Sequence, residues 1–183
     1  REEELTSGDF LMVVKNNYFW SDEEDQLDFI ANGDIAEVVD IQGRQSLYGY
    51  HFADVTLRFV DYNDVEVDAK ILMDTIYSNQ ASLSGKENKE FFYTVLEDYQ
   101  DLKTKKARYQ KVRENPYFNA LQVKFSYAVT CHKAQGGQWR SVFIDHGYLT
   151  EDMVNKEFYR WLYTACTRAS EKLYLVNFQK SFF

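Results

Sequence analysis

The sequence predicts an α/β protein in which a small antiparallel barrel and a helical stretch precede a layer with a largely parallel sheet. Three observations carry that expectation. Short alternating segments separated by tight turns crowd residues 30–83. Apolar residues recur at helical spacing within residues 84–113. From Leu121 onward the order reads strand, loop, strand, helix, strand, which favours parallel pairing through a crossover helix.

Element by element, Phe10-Leu11-Met12-Val13-Val14 is an apolar run that ends in Asn16-Asn17, as a buried strand does. Ser21 to Asp28 is acidic and reads as loop. Asn32-Gly33 is a tight turn, because both residues accept positive φ. Residues 35–41 and 50–60 follow as strands. Tyr62-Asn63-Asp64 turns the chain. Val65, Val67, Ala69 and Ile71 then alternate with Glu66, Asp68 and Lys70, the period of a half-buried strand. Ser84 can cap a helix. Phe92, Val95, Leu96, Tyr99 and Leu102 share a helical face, and the stretch continues through Lys103, Lys105, Lys106, Arg108, Lys111 and Arg113. It stops near Asn115-Pro116, since the residue before proline disfavours α. Such a basic face suits either solvent or DNA. Leu121–Val129 and Ser141–Asp145 read as strands. Asn155–Ala169 reads as a helix with Phe158, Trp161, Leu162 and Ala165 on one face, and Lys172–Asn177 as a closing strand. There is no internal repeat.

Composition narrows the class. Aromatic residues make up 17% of the 183, with 14 Tyr and 14 Phe, which fits a tyrosine-rich β core or base-stacking platforms. No apolar run approaches the ~18 residues that a membrane span needs. The chain opens Arg1-Glu2-Glu3-Glu4 with no signal peptide and no initiator Met, so it reads as a piece of a longer protein. Cys131 and Cys166 lack metal-type spacing, and inert buried thiols in a reduced, cytoplasmic protein are expected. The net charge of −8 is uneven. Residues 1–100 carry 7 basic and 22 acidic side chains, residues 101–120 carry 6 and 2, and residues 121–183 carry 8 and 5. A protein that grips nucleic acid over its whole surface is excluded by this balance; one that grips it along a single face is not.

Two segments carry chemistry. In Ala128-Val129-Thr130-Cys131-His132-Lys133-Ala134-Gln135-Gly136-Gly137-Gln138-Trp139, the glycine pair lets backbone approach a ligand closely. Thr130, His132, Lys133 and Gln135 add donors in the same loop. An ordinary polar turn is the alternative. In Trp161-Leu162-Tyr163-Thr164-Ala165-Cys166-Thr167-Arg168-Ala169, Arg168 stands near the end of an apolar helix. It suits a cation completing the helix dipole or an arginine on a γ-phosphate. His51 and His146 stand alone, and no metal ligand set is expected.

Those two strings resemble motifs V and VI of superfamily 1 helicases of the RecD-like kind. Motif V there runs roughly Ala-x-Thr-x-His-Lys-x-Gln-Gly-x-Glu. Motif VI is echoed by Leu162-Tyr163-Thr164-Ala165-Cys166-Thr167-Arg168-Ala169 and Lys172-Leu173-Tyr174-Leu175. Asn16-Asn17-Tyr18 and Asn32-Gly33-Asp34 resemble upstream elements of the same family. Four matches in the right order cover about residues 8–41 and 121–178; residues 72–120 match nothing. The resemblance implies an α/β fold with a RecA-like (P-loop NTPase-type) parallel-sheet half formed by residues 1–29 and 121–183. An SH3-like barrel would be inserted at 30–83 and a basic helical insertion at 84–120.

The resemblance also implies roles. Arg168 would be the arginine finger. Gln135, Gly136, Gln138 and Arg168 would border the nucleotide. Thr130, His132 and Lys133 would face DNA. Gln138 stands where the family often has Glu, although an amide can still hydrogen-bond a sugar hydroxyl. Ala36 stands where a Gly is common. Nothing fits the phosphate loop Gly-x-x-x-x-Gly-Lys-Ser/Thr, so ATP and Mg²⁺ would be held mainly by an N-terminal RecA-like domain of the same polypeptide. The expected function is the C-terminal part of an ATP-dependent DNA helicase travelling 5′ to 3′ on single-stranded or forked DNA, with this fragment inactive alone. Two rivals are a non-catalytic module on a helicase scaffold, which binds nucleic acid or protein, and a metal-dependent nuclease. Scattered acids argue against the second.

Overall fold

The computed structural model describes residues 5–21, 27–150 and 153–178. The chain divides into two units, Arg1–Tyr127 and Ala128–Phe183. The first is a closed barrel of five strands: β1 (Phe10–Val13), β2 (Ile35–Leu47), β3 (Tyr50–Phe59), β4 (Val65–Leu72) and β5 (Leu121–Phe125). Neighbours pair antiparallel from β1 through β4. β5 then closes the ring, antiparallel to β1 and parallel to β4, with Ile71 opposite Leu121. Leu11, Val13, Val38, Val55, Leu57, Phe59, Ile71 and Val123 fill the interior. The alternation seen in residues 65–71 therefore marks a true inner and outer face.

Several features differ from the sequence expectation. The barrel takes its first strand from within residues 1–29 and its fifth from within 121–183, rather than lying inside 30–83. A sheet ending at β2 and β4 would leave two unpaired edges, and closure removes both. β2 also runs six residues beyond the expected Ile41. It turns at Tyr48-Gly49, where both residues have positive φ (54° and 79°). Tyr-Gly is a poor signal for such a turn; the Tyr48 ring packs edge-on against Tyr117 at 5.8 Å, and its hydroxyl donates to Asp98, which holds the unusual backbone. Asn32-Gly33, by contrast, turns as expected, with Gly33 at φ 109°.

The basic stretch forms two helices instead of one. A short α1 (Met73–Tyr77) follows β4 directly. α2 (Gly85–Leu96) starts at a capping box: the Ser84 hydroxyl accepts from the Glu87 amide, and the Glu87 carboxylate accepts from the Ser84 amide. A 3-10 turn at Glu97–Tyr99 ends it. α3 (Lys105–Arg113) restarts under a Thr104 cap. Arg108, counted among the basic face, is spent on the connecting loop, donating to the Leu102 and Gln100 carbonyls at 2.7 and 2.8 Å. Phe91 and Val95 are the buried residues of α2, with Phe92 half-buried beside them. With Phe52, Leu72, Val112 and Ala120 they make a second core on the outside of the barrel.

The insertion covers one charged group. Lys70 is 5% exposed. Its Nζ donates to Asp54 at 2.5 Å and lies 4.5 Å from the centre of the Tyr117 ring. Tyr117 donates to Gln45, and Gln45 donates to Asp54, so the ion pair sits in a closed polar ring.

In the second unit, β6 (Trp139–Asp145) and β7 (Ala169–Val176) pair in parallel through α4 (Lys156–Cys166). The Asn155 side chain caps α4, accepting from the Glu157 and Phe158 amides. Phe158 and Ala165 are buried, with Trp161 and Leu162 half-buried, as the helical spacing expects. β5 stops at Phe125 rather than Val129, and residues 126–138 carry no strand.

Candidate functional site

The glycine loop is a compact turn before β6. The Thr130 carbonyl accepts from the amides of Lys133 and Ala134 at 2.9 and 3.1 Å, and the His132 carbonyl accepts from Gln135 at 3.3 Å. Buried Ala134 anchors this single helical turn. Gly136, at φ 90°, reverses the chain, a conformation that costs a side chain dearly. Gly137 is needed for a different reason: a Cβ there would lie 2.4 Å from the Trp139 indole. Thr130, His132, Lys133, Gln135, Gly136 and Gln138 are all exposed on this one loop.

Arg168 joins the loop to the helix. α4 ends at Cys166, so Arg168 lies beyond the helix, not within it, and β7 begins at the next residue. Its Nε donates to the Thr164 carbonyl at 3.0 Å, its Nη1 to the Gly137 carbonyl at 3.1 Å and its Nη2 to the Thr167 hydroxyl at 3.1 Å. The Trp139 amide donates to the Arg168 carbonyl at 2.9 Å, where β6 and β7 begin. All three acceptors of the guanidinium are neutral, and no carboxylate pairs with it among the described residues. Three of its five N–H groups are used, which leaves two for an anion. A half-buried cation without a counter-charge is suited to a phosphate oxygen.

Both cysteines border this arrangement and are half-buried rather than fully buried. The Cys131 thiol lies 3.5 Å from the Trp161 carbonyl. Burial pushes its pKa up, while nearby Arg168 pulls it the other way. Burial also raises that of Cys166. Both favour the neutral thiol, the unreactive form. Among the described residues no group of three His, Cys, Asp or Glu could hold a metal ion. His51 is not isolated: its Nδ1 is 3.1 Å from Asp74, and its amide donates to the same carboxylate. His146 packs edge-on against Phe178 at 4.5 Å. No helix among the described residues is long and apolar enough to cross a membrane.

Comparison with known proteins falls on the same segment. The family described as UvrD-like helicase C-terminal domain matches residues 125–176. An uncharacterized protein of Acanthamoeba polyphaga mimivirus is 38% identical over 52 residues, covering 28% of this chain. The matched stretch spans 10% of that viral protein. The family match ends at the last residue of β7 and contains β6, α4, the glycine loop and Arg168. Residues 125–176 are therefore similar to the C-terminal domain of UvrD-like helicases, and the chain carries a helicase-related part.

Proposed function

We propose that this chain is the C-terminal part of an ATP-dependent DNA helicase of the RecD-like kind, and that it supplies one wall of the ATP site. The observation that carries this reading is the Arg168 guanidinium, held against Gly137 with two N–H groups to spare and no neutralising acid among the described residues. In this reading the β6–α4–β7 unit belongs to the second RecA-like domain, and the barrel is its SH3-like insertion.

The residues present fit a nucleotide phosphate: a guanidinium, a glycine turn and the side-chain amides of Gln135 and Gln138 border one loop. Mg²⁺-bound ATP supplies the hydrolysable γ-phosphate, and a phosphate loop on an N-terminal domain of the same polypeptide holds most of it. Arg168 places positive charge where negative charge grows during phosphoryl transfer. Gln138 hydrogen-bonds the sugar in place of an acid. Thr130, His132 and Lys133 donate to the phosphate backbone of single-stranded DNA, which positions the strand without reading its sequence. Because the DNA-facing loop and Arg168 are joined through Gly137, closure on nucleotide shifts the grip on the strand. Travel is 5′ to 3′, as the resemblance implies.

The test is DNA-stimulated ATPase of the full-length gene product, with the 183-residue chain as control. The reading expects turnover in the first and none in the second. Arg168→Ala abolishes turnover and keeps DNA binding. Full-length protein that is folded but idle overturns the reading in favour of a non-catalytic module.

A further inference from the structure

The Asn16-Asn17-Tyr18 segment and the end of the helical insertion meet in a groove of the barrel unit, although they are about 100 residues apart in sequence. Their contact is a latch. Asn17 Nδ2 and Trp20 Nε1 both donate to the Asn119 carbonyl at 2.8 Å. The Asn17 carboxamide oxygen also accepts from the Phe19 and Trp20 amides. Asn119 Nδ2 donates to the Arg113 and Asn115 carbonyls at 2.7 and 2.9 Å, which ties the end of α3 into the same junction. Asn16 accepts from the Asn32 amide at 2.8 Å and so fixes the segment to the β2 entry turn. Both asparagines are thus consumed by architecture, while Tyr18 is not.

The groove encloses about 290 Å³, and Lys15, Phe19, Arg113, Phe118 and Asn119 are among the residues that line it. Its two cations come from distant parts of the sequence, Lys15 just after β1 and Arg113 at the end of α3. Among the described residues, Lys15 Nζ reaches only the neutral Asn88 carboxamide oxygen, at 3.2 Å. Arg113 has no side-chain partner among the described residues, and neither cation meets a carboxylate there. Partial burial pulls the Lys15 pKa down, a penalty that an arriving anion offsets. Beside them Tyr18 is 70% exposed, yet its ring is held by stacking on Phe29 at 5.1 Å and 24°. An exposed ring pinned in place is a platform for another flat ring at little entropic cost.

We propose that this groove binds single-stranded DNA, with a backbone phosphate between Lys15 and Arg113 and an unpaired base on Tyr18. A duplex hides its base faces, so the Tyr18 platform selects a single strand. The choice of DNA rests on the helicase reading above; the groove chemistry does not. The +4 charge of residues 101–120 inside an acidic unit concentrates the field on the α3 side, where Arg113 stands.

The test is fluorescence anisotropy of the 183-residue chain with a labelled oligothymidine of about 12 nucleotides. Tyr18→Ala should weaken binding by about fivefold or more, and Tyr18→Phe should restore it. Lys15→Gln and Arg113→Gln should each weaken binding and each lower the salt slope by about 0.7. Circular dichroism should be unchanged in all four, because the side chains are at the surface. Wild-type affinity in Tyr18→Ala and in a Lys15→Gln, Arg113→Gln double variant overturns the groove. So does failure of the wild-type chain to bind, or equal binding of a duplex. Tighter binding of oligouridine overturns the choice of DNA. Loss confined to Thr130→Ala and Lys133→Gln places the strand on the second unit and overturns the groove, while the ATPase test of Arg168 stands apart.

Discussion

The Arg168 guanidinium donates to the Gly137 carbonyl at 3.1 Å, across 31 residues of sequence. The contact follows from strand pairing. Trp139 lies opposite Ala169 in the β6–β7 register, which brings Arg168, one residue before β7, and Gly137, two residues before β6, to the same end of the sheet. The glycine loop thereby becomes part of the support of the arginine. Anything that moves the loop moves the charge.

Gly137→Ala should separate the two. Its methyl group would sit 2.4 Å from the Trp139 ring, so the indole or the loop must shift. We expect a loss of about 1–3 kcal/mol in urea unfolding together with a change in tryptophan emission. Gly136→Ala should cost about 1–3 kcal/mol through its positive φ alone, and should leave the emission nearly as it was. Equal spectra for both variants would argue against the ring contact.

Arg168→Lys tests geometry rather than charge. A lysine keeps the cation but cannot donate to Gly137, Thr167 and a phosphate together. In the full-length protein kcat should fall by about 10³-fold or more, nearly as far as for alanine. A lysine variant with half the native rate would reduce Arg168 to a source of positive potential.

Lys70 is the buried cation that seats the insertion. Lys70→Ala removes the partner of Asp54 and the cation over Tyr117, and should cost about 2–4 kcal/mol by thermal or urea unfolding. Because the Asp54 side chain keeps 41% of its exposure, water compensates part of the loss. Lys70→Met keeps the packing and should cost less. A methionine variant as unstable as alanine would show that charge, not volume, holds the interface.

The Tyr48 hydroxyl sets an alkaline limit. Burial first, and then the hydrogen bond to Asp98, push its pKa up from 10.0 to about 12. The folded state holds the proton more tightly than the unfolded chain. The stabilisation is therefore complete below pH 10 and is lost as pH rises towards 12. Tyr48→Phe should be less stable at neutral pH and should show a shallower decline above pH 10. Parallel stability curves for the two proteins would rule this linkage out.

Much of the local structure was legible. Val65 to Ile71 alternates because one face of β4 lines the barrel, and Asn32-Gly33 turns because both residues tolerate positive φ. Ser84 and Glu87 announce a helix start through side chains that satisfy free amides. Helical periodicity could not show the break at residues 100–104, because Arg108 closes that loop from the following helix. Tyr48-Gly49 was silent for a similar reason: its backbone is held by Tyr117 and Asp98, which lie far along the chain.

Local sequence was enough to locate most strands, the Asn32-Gly33 turn and the starts of the helices, and to pick out the glycine loop and the arginine segment. Those are local properties: side-chain period, glycine and asparagine at turns, caps within four residues. It took the folded chain to show that Phe10–Val13 and Leu121–Phe125 close the barrel, that Lys70 is buried, that Asn17 latches onto Asn119, and that Arg168 rests on Gly137. Each depends on a pairing between distant segments. Such pairings are chosen by sheet closure and the burial of shared surface, which no short window of sequence contains.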